Sequence, residues 1–139
     1  MLALAIEIAS ANFIDKTDKA GRPYILHCLR VMNAVDQNDE ELMQIAVLHD
    51  VIEDTTVTMD QLKDAGFSDR VRLGVSYLTH HKGDTYDFYI KMISNNPDAV
   101  KVKLADLKDN SDITRLKGLG KKDFERMEKY HRSFIYLSN

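Results

Sequence analysis

The sequence predicts an all-α fold in a single domain. Apolar residues recur at spacings of three and four, and residues that cap helices precede most of these segments. No segment shows the period-two alternation and hairpin turns of a β-sheet. The chain has 139 residues, which is the size of one domain, so we assign residues 1–139 to one unit. We expect a compact bundle of seven or eight helices.

The first part of the chain contains three predicted helices. Residues 2–14 form the first, and a polar loop containing Gly21 separates it from the second, residues 24–35. Residues 39–55 keep a helical spacing of apolar residues to their end, so we predict one continuous helix there. Asn38 or Asp39 would cap it.

The second part contains five further predicted helices. Thr58 and Gln61 have capping-box spacing and begin a short helix that Gly66 ends. Asn96 followed by Pro97 is a strong start signal for another helix. The predicted segments after Gly66 are 68–78, 85–94, 99–110 and 122–137.

Composition excludes several classes of function. The net charge is −3 with scattered basic residues, which argues against nucleic acid as the main partner. No apolar run is long enough to span a membrane, and the opening segment carries Glu7 and lacks the basic start of a signal peptide. The single Cys28 excludes an internal disulfide and fits a reducing setting, so we expect a cytoplasmic protein.

The end of the segment 39–55 concentrates polar side chains. His49, Asp50, Glu53 and Asp54 follow an apolar face, and three of the four are acids placed where the helix dipole is negative. Folding gives no reason to gather them there, whereas a bound cation would. The alternative is a solvated acidic helix end.

Two more residues of metal-ligand type lie in apolar surroundings on other predicted helices. They are His27 in PYILHCLRV and Asp106 in VKVKLADLKDN. Singly, such residues are usually a satisfied core histidine and a capping aspartate. Together with His49 and Asp50 they suggest a shared divalent cation, because buried His and Asp side chains need partners. Two imidazoles and two carboxylates favour Mn²⁺, Fe²⁺, Co²⁺ or Zn²⁺ over Ca²⁺.

These residues and their flanking strings carry a resemblance to a known family. The segments DKAGRPYILH, VLHDVIEDT and VKLADLKDN resemble the HD-domain metal-dependent phosphohydrolases, and within them the guanosine tetraphosphate (alarmone) hydrolases of the stringent response. The small single-domain bacterial members are the most similar. The resemblance extends from Leu4 to Leu137 and implies an all-α fold.

The resemblance also implies roles for individual residues. One Mn²⁺ would be bound by four side chains, those of His27, His49, Asp50 and Asp106. The catalytic acid pair would be Glu53 and Asp54. Lys19 would lie near the substrate phosphates, and Asn110 would line the nucleoside pocket.

Three departures from the family pattern affect recognition of the base. Asp18 stands where the longer enzymes have an arginine that stacks on guanine, and aspartate cannot supply that planar cation. The segment NFIDK replaces a family string resembling AHxGQ. Asp112 and Ile113 stand where the longer enzymes tend to have Arg and Thr.

The chemistry also follows from the residue types. A bound divalent ion makes hydroxide available near neutral pH, and Glu53 or Asp54 can accept a proton from that water. Nearby basic residues would offset the phosphate charge; the candidates are Lys19, Arg22, Lys103 and Lys108. We therefore predict hydrolysis of a nucleotide, with removal of the alarmone 3′-pyrophosphate as the favoured reaction.

Two alternatives remain open at this point. One is hydrolysis of another nucleotide or small phosphorylated metabolite, which the Asp18 departure favours. The other is a nucleotide-sensing protein that binds without turnover. The apolar first and last helices leave open whether a second copy of the chain docks there as a homo-oligomer.

Overall fold

The computed structural model describes residues 1–139 and confirms the all-α prediction. Its one β-type contact is an isolated bridge between Thr17 and Pro23. The helices are α1 (Leu2–Asn12), α2 (Tyr24–Ala34), α3 (Glu40–Leu48), α4 (Val51–Asp54), α5 (Met59–Asp64), α6 (Asp69–Tyr77), α7 (Tyr86–Ile93), α8 (Pro97–Asn110) and α9 (Lys121–Ser138). A short 3-10 helix, Ile113–Arg115, lies between α8 and α9. No helix combines the length and the apolar character that crossing a membrane requires.

Helix α3 is the centre of the core. Every residue from Leu42 to Leu48 is buried, and α3 contacts α1, α2, α6 and α8. Its crossing with α6 is close, because a Cβ built on Gly74 would lie 2.6 Å from Cδ1 of Ile45. This crossing therefore depends on a residue without a side chain in α6.

The prediction of one continuous helix over 39–55 is wrong at its centre. Helical pairing is interrupted at His49 and Asp50, and α4 follows as a separate short helix. In a continuous helix the Ala46 carbonyl would accept the Asp50 amide. Here Nδ1 of the His49 imidazole lies 2.7 Å from that carbonyl oxygen. The interruption raises the number of α-helices to nine and places both residues at a junction.

Capping side chains hold the other helix starts near their predicted positions. At five starts a side-chain oxygen accepts the main-chain amide three residues later; the capping residues are Asp39, Thr58, Ser68, Thr85 and Asn96. Gly66 follows α5 with a φ of +95°, a conformation that favours glycine. The predicted boundaries of most helices differ from the observed ones by one or two residues because these signals act locally.

The single cysteine lies inside the core. Cys28 is fully buried on α2, directly after His27 in sequence. Burial raises the pKa of its thiol to about 12. It therefore packs as a small apolar residue.

Candidate metal centre and adjoining cavity

Four side chains from three parts of the fold meet at one point. His27 comes from α2, His49 and Asp50 from the junction of α3 and α4, and Asp106 from α8. One ligand-type atom from each lies within 4.8 Å of all the others, so the group could hold a metal ion. The structure brings together the four residues that the sequence singled out.

The two histidines have free ring nitrogens that fit a metal ion. Nε2 of His27 and Nε2 of His49 are buried and make no hydrogen bond. They lie 3.0 Å from an oxygen of Asp106 and 2.9 Å from an oxygen of Asp50, respectively. A buried polar atom without a partner costs free energy. One divalent cation would supply a partner to both nitrogens and both carboxylates.

Protons would compete with a cation for this cluster. Burial disfavours the charged form of His49, but the carboxylates of Asp50 and Asp106 outweigh it and raise its pKa well above the usual value. Burial is likewise outweighed at His27, where Asp106 and Asp109 raise the pKa. Since imidazole binds metal only when neutral, binding of an ion would release protons.

A further layer of contacts orients the cluster. Oδ2 of Asp109 lies 2.6 Å from Nδ1 of His27, and the Tyr24 hydroxyl donates to Oδ2 of Asp50 at 2.5 Å. Contacts of this kind fix the ring orientation of metal-binding histidines. Neither Asp109 nor Tyr24 was predicted from the sequence. The available signal for Asp109 was its spacing of three from Asp106, which places both on one face of α8.

Asp18 lies at the end of a chain of ionic contacts that reaches the cluster. Arg30 donates to both carboxylate oxygens of Asp109, at 2.7 and 3.1 Å. Nη2 of Arg115 lies 3.3 Å from the same carboxylate, and its Nη1 lies 3.4 Å from Oδ2 of Asp18. The other oxygen of Asp18 accepts two main-chain amides of its own loop, each at 2.9 Å. Asp18 therefore holds the loop and an arginine.

Lys103 and Asn110 both bind Asp106. Nζ of Lys103 lies 2.8 Å from Oδ2 of Asp106, and Nδ2 of Asn110 donates to Oδ1 at 3.0 Å. Lys103 is buried, and its ammonium is committed to this carboxylate. Lys103 is therefore not the free, phosphate-facing cation that the sequence offered as one option. Asn110 lines the cavity.

The two predicted catalytic acids face different partners beside the cluster. Oε1 of Glu53 accepts the main-chain amide of His80 at 2.6 Å. Oδ2 of Asp54 lies 3.1 Å from Nζ of Lys16. Partial desolvation raises the pKa of Glu53, and the nearby carboxylates of Asp50 and Asp54 add to the effect.

The cluster opens into a cavity of about 500 Å³. Asp50 and Asp106 line its floor, while both histidines are buried behind them. Its wall is strongly charged, with basic and aromatic residues from several elements. The basic and aromatic wall residues are Lys16, Lys19, Tyr24, His80, Tyr86, Tyr89, Lys103, Arg115, Arg126, Lys129 and Tyr130.

Helix α9 contributes a wall that the sequence analysis missed. Arg126, Lys129 and Tyr130 share one face of α9 at spacings of three and four, and all line the cavity. That spacing was a signal, but a charged helix face usually meets solvent. Two cations proposed from the sequence, Arg22 and Lys108, are not at the cavity wall.

Two curated proteins are similar to this chain over most of its length, although no family model matches the sequence. Guanosine-3′,5′-bis(diphosphate) 3′-pyrophosphohydrolase of Aquifex aeolicus is 32% identical in an alignment of 116 residues that covers 76% of this chain and 16% of that protein. The protein named probable GTP pyrophosphokinase of Mycobacterium leprae is 28% identical in an alignment of 113 residues that covers 73% of this chain and 14% of that protein. The chain thus spans about one sixth of the length of these relatives.

A solved structure has the same fold. It is that of a metazoan ortholog of SpoT that hydrolyses ppGpp and plays a role in starvation responses. The TM-score is 0.79 at 20% identity, and the match covers 98% of this chain and 84% of that one. The sequence similarity to the Aquifex aeolicus protein confirms the resemblance to alarmone hydrolases that the motifs indicated, and the solved structure shows the same fold.

Proposed function

We propose that this chain, which resembles the alarmone hydrolases in sequence and in fold, is a metal-dependent hydrolase of guanosine polyphosphates. The proposed reaction removes the 3′-pyrophosphate of guanosine 3′,5′-bis(diphosphate), ppGpp. The observation that carries the proposal is the four-residue cluster at the cavity floor, with Glu53 and Asp54 beside it. The relative from Aquifex aeolicus, which is named for this reaction, supports the choice of substrate.

Mn²⁺ is the proposed cofactor, and His27, His49, Asp50 and Asp106 would hold it. A set of nitrogen and oxygen donors without thiolate suits Mn²⁺ and neighbouring first-row ions. When bound, such an ion lowers the pKa of a coordinated water and polarises a phosphoryl oxygen. All other parts of the reaction are assigned to the chain's own side chains.

Glu53 and Asp54 are the proposed proton acceptors. The raised pKa of Glu53 makes it a stronger base than an ordinary glutamate. As the water attacks, its oxygen forms a bond to the 3′-phosphorus and its proton passes to the carboxylate. The bond between that phosphorus and the ribose 3′-oxygen breaks, and the 3′-oxygen takes up a proton. The products are the nucleoside 5′-diphosphate and pyrophosphate.

Lys19 and Asn110 are the proposed substrate contacts. Lys19 is exposed on the loop before α2, lines the cavity and forms no ion pair, so its charge is available to a phosphate. Asn110 reaches the cavity while donating to Asp106. We place the reaction in the cytoplasm because the single cysteine is an unpaired thiol.

The test is an assay for pyrophosphate release by the purified chain, with and without Mn²⁺. We expect Mn²⁺-dependent release from ppGpp and none from the Asp106→Ala variant. The Asp60→Ala variant, which removes an exposed carboxylate that does not line the cavity, should retain full activity.

A second candidate is hydrolysis of a different nucleotide. It is favoured by Asp18, which binds Arg115 instead of presenting a cation to a base. A panel of nucleotides in the same assay separates the two candidates. Turnover of another nucleotide with no turnover of ppGpp would reject the alarmone assignment and keep the hydrolase. Binding of nucleotide with no turnover of any would reject both and favour a sensor.

A further inference from the structure

Lys129 of α9 is a partly buried cation at the cavity wall. Its Nζ lies 4.4 Å from the ring centroid of Tyr86 and 5.4 Å from that of Tyr130. These ring faces hold the ammonium group by cation–π attraction. No carboxylate of the chain lies within ion-pairing distance of Lys129, whereas the neighbouring Arg126 is paired with Asp123.

Other cations surround this side chain. Partial burial lowers the pKa of Lys129, and the positive charges of Lys103, Lys19 and Arg126 lower it further. Lys19 also lacks a carboxylate partner, and it faces the same cavity. Two unpaired ammonium groups in one partly enclosed space repel each other, so folding alone gives no reason to place them together.

The floor and the α9 wall of the cavity therefore differ in charge. The floor carries Asp50 and Asp106 beneath Glu53 and Asp54, and it attracts a cation. The α9 wall carries the unpaired ammonium group of Lys129, and Lys19 faces the same cavity from the loop before α2, so this side attracts an anion. A ligand with two anionic groups would bind both, one group at the floor through the metal ion and the other directly at Lys129.

We propose that Lys129, together with Lys19, forms a second anion subsite that binds the 5′-diphosphate of the nucleotide. The identity of the nucleotide rests on the proposed function, but the subsite rests only on the positions of Lys129 and Lys19 at the cavity. The cavity of about 500 Å³ is of the size that encloses small-molecule ligands. Tyr86 and Tyr130 would keep the ammonium group in place before the ligand arrives, which lowers the entropy cost of binding.

Binding of guanosine 5′-diphosphate tests the subsite without any hydrolysis. This probe has no 3′-phosphate, so it cannot be a substrate of the proposed reaction. Isothermal titration calorimetry in EDTA removes any contribution from bound metal. We expect Lys129→Gln to weaken binding about tenfold, the effect of losing one contact to a charged group. Lys129→Arg should restore most of the affinity.

Lys121→Gln is the matched control. Lys121 lies on the same helix, carries the same charge and is exposed outside the cavity. We expect it to change the affinity by less than about twofold, since exposed charges are screened by salt. Guanosine, which has no phosphate, should bind equally to the wild type and to Lys129→Gln.

Three results would overturn the subsite. They are equal binding of the diphosphate by wild type and Lys129→Gln, an equal loss in the Lys121→Gln control, and an equal loss of guanosine binding in Lys129→Gln. The outcome is separate from that of the proposed function. A chain that binds the diphosphate through Lys129 and hydrolyses no alarmone keeps the subsite and rejects the reaction, and the reverse result rejects only the subsite.

Discussion

Asp109 shows how a residue outside the cavity can control the site. Its carboxylate contacts Nδ1 of His27, and Arg30 and Arg115 bind the same carboxylate. The two arginines fix its direction, so the ring of His27 is fixed in turn. Nε2 of His27 then points to the cluster without a hydrogen-bond partner of its own.

We predict that Asp109→Ala weakens Mn²⁺ binding about 10- to 100-fold, the usual effect of removing a carboxylate that orients a metal-binding histidine. Competition with a fluorescent metal chelator measures the affinity without an activity assay. Asp69→Ala, an exposed carboxylate at the start of α6, is the control and should leave the affinity unchanged. Equal affinities for Asp109→Ala and wild type would show that His27 needs no orientation.

Substitution of the two proposed catalytic acids should lower the rate of hydrolysis without weakening metal binding. We predict that Glu53→Gln combined with Asp54→Asn lowers kcat by about 100-fold or more, because the proton acceptor is lost. Mn²⁺ affinity should change little, since neither side chain belongs to the four-residue cluster. Steady-state kinetics and metal titration on one preparation measure both. Glu128→Gln on the exposed side of α9 is the control and should retain full activity. Full activity of the double variant would show that neither acid takes part in the mechanism.

At the scale of elements, the crossing of α3 and α6 determines how closely the core can pack. Ile45 is fully buried, and its side-chain atoms occupy the space where a Cβ of residue 74 would lie. Glycine weakens an isolated helix by about 1 kcal/mol relative to alanine. Its presence within α6 is therefore a cost that the close packing offsets.

We predict that Gly74→Ala lowers the free energy of unfolding by about 1 kcal/mol, because overpacking exceeds the gain in helix propensity. Ile45→Val removes Cδ1, the atom at 2.6 Å. In that background Gly74→Ala should cost less, with a coupling of at least about 0.5 kcal/mol. Urea unfolding of the four proteins measures the cycle. Strict additivity would mean that the two residues do not compete for space.

The sequence predicted those elements whose signals are local. Thr58, Thr85 and Asn96 cap their own helices, so their effect needs no knowledge of packing. The interruption at His49 depends on a side chain that takes a carbonyl from the main chain, and a helical pattern does not reveal that competition. The helical spacing of residues 39–55 predicted one continuous helix, whereas the structure has a junction at His49 and Asp50.

The candidate site was also predictable only in part, because the candidate metal-binding residues have a distinctive signal in the sequence and the α9 wall does not. His27, His49, Asp50 and Asp106 could be found because such residues are unusual in apolar helical segments. Lys129 could not, because a lysine on an amphipathic helix normally meets solvent. Only the packing of α9 against α7 and α8 shows that this face meets a cavity.

At the scale of the whole molecule, the cluster connects distant parts of the chain. Its members come from α2, from the junction after α3, and from α8, so a bound ion would join segments that are 79 residues apart at the extremes, His27 and Asp106. Unfolding would separate them and release the ion. Metal binding and global stability are therefore linked.

We predict that Mn²⁺ raises the midpoint of thermal unfolding and that EDTA reverses the effect. At a free concentration of about 100 times Kd, the gain in the free energy of unfolding is about 2.7 kcal/mol. Scanning calorimetry with and without Mn²⁺ measures the shift. Asp106→Ala should show no shift, and a shift of the same size in that variant would place the ion elsewhere.

Because Cys28 is buried, its thiol can be used to follow opening of the core. A thiol-specific reagent can reach this sulfur only in molecules whose core has opened, so the labelling rate reports opening directly. Because the neighbouring residue in sequence is His27, an ion that stabilises the closed cluster should slow the reaction. The labelling rate of Cys28 therefore measures how often the core opens to solvent, and no introduced probe is needed.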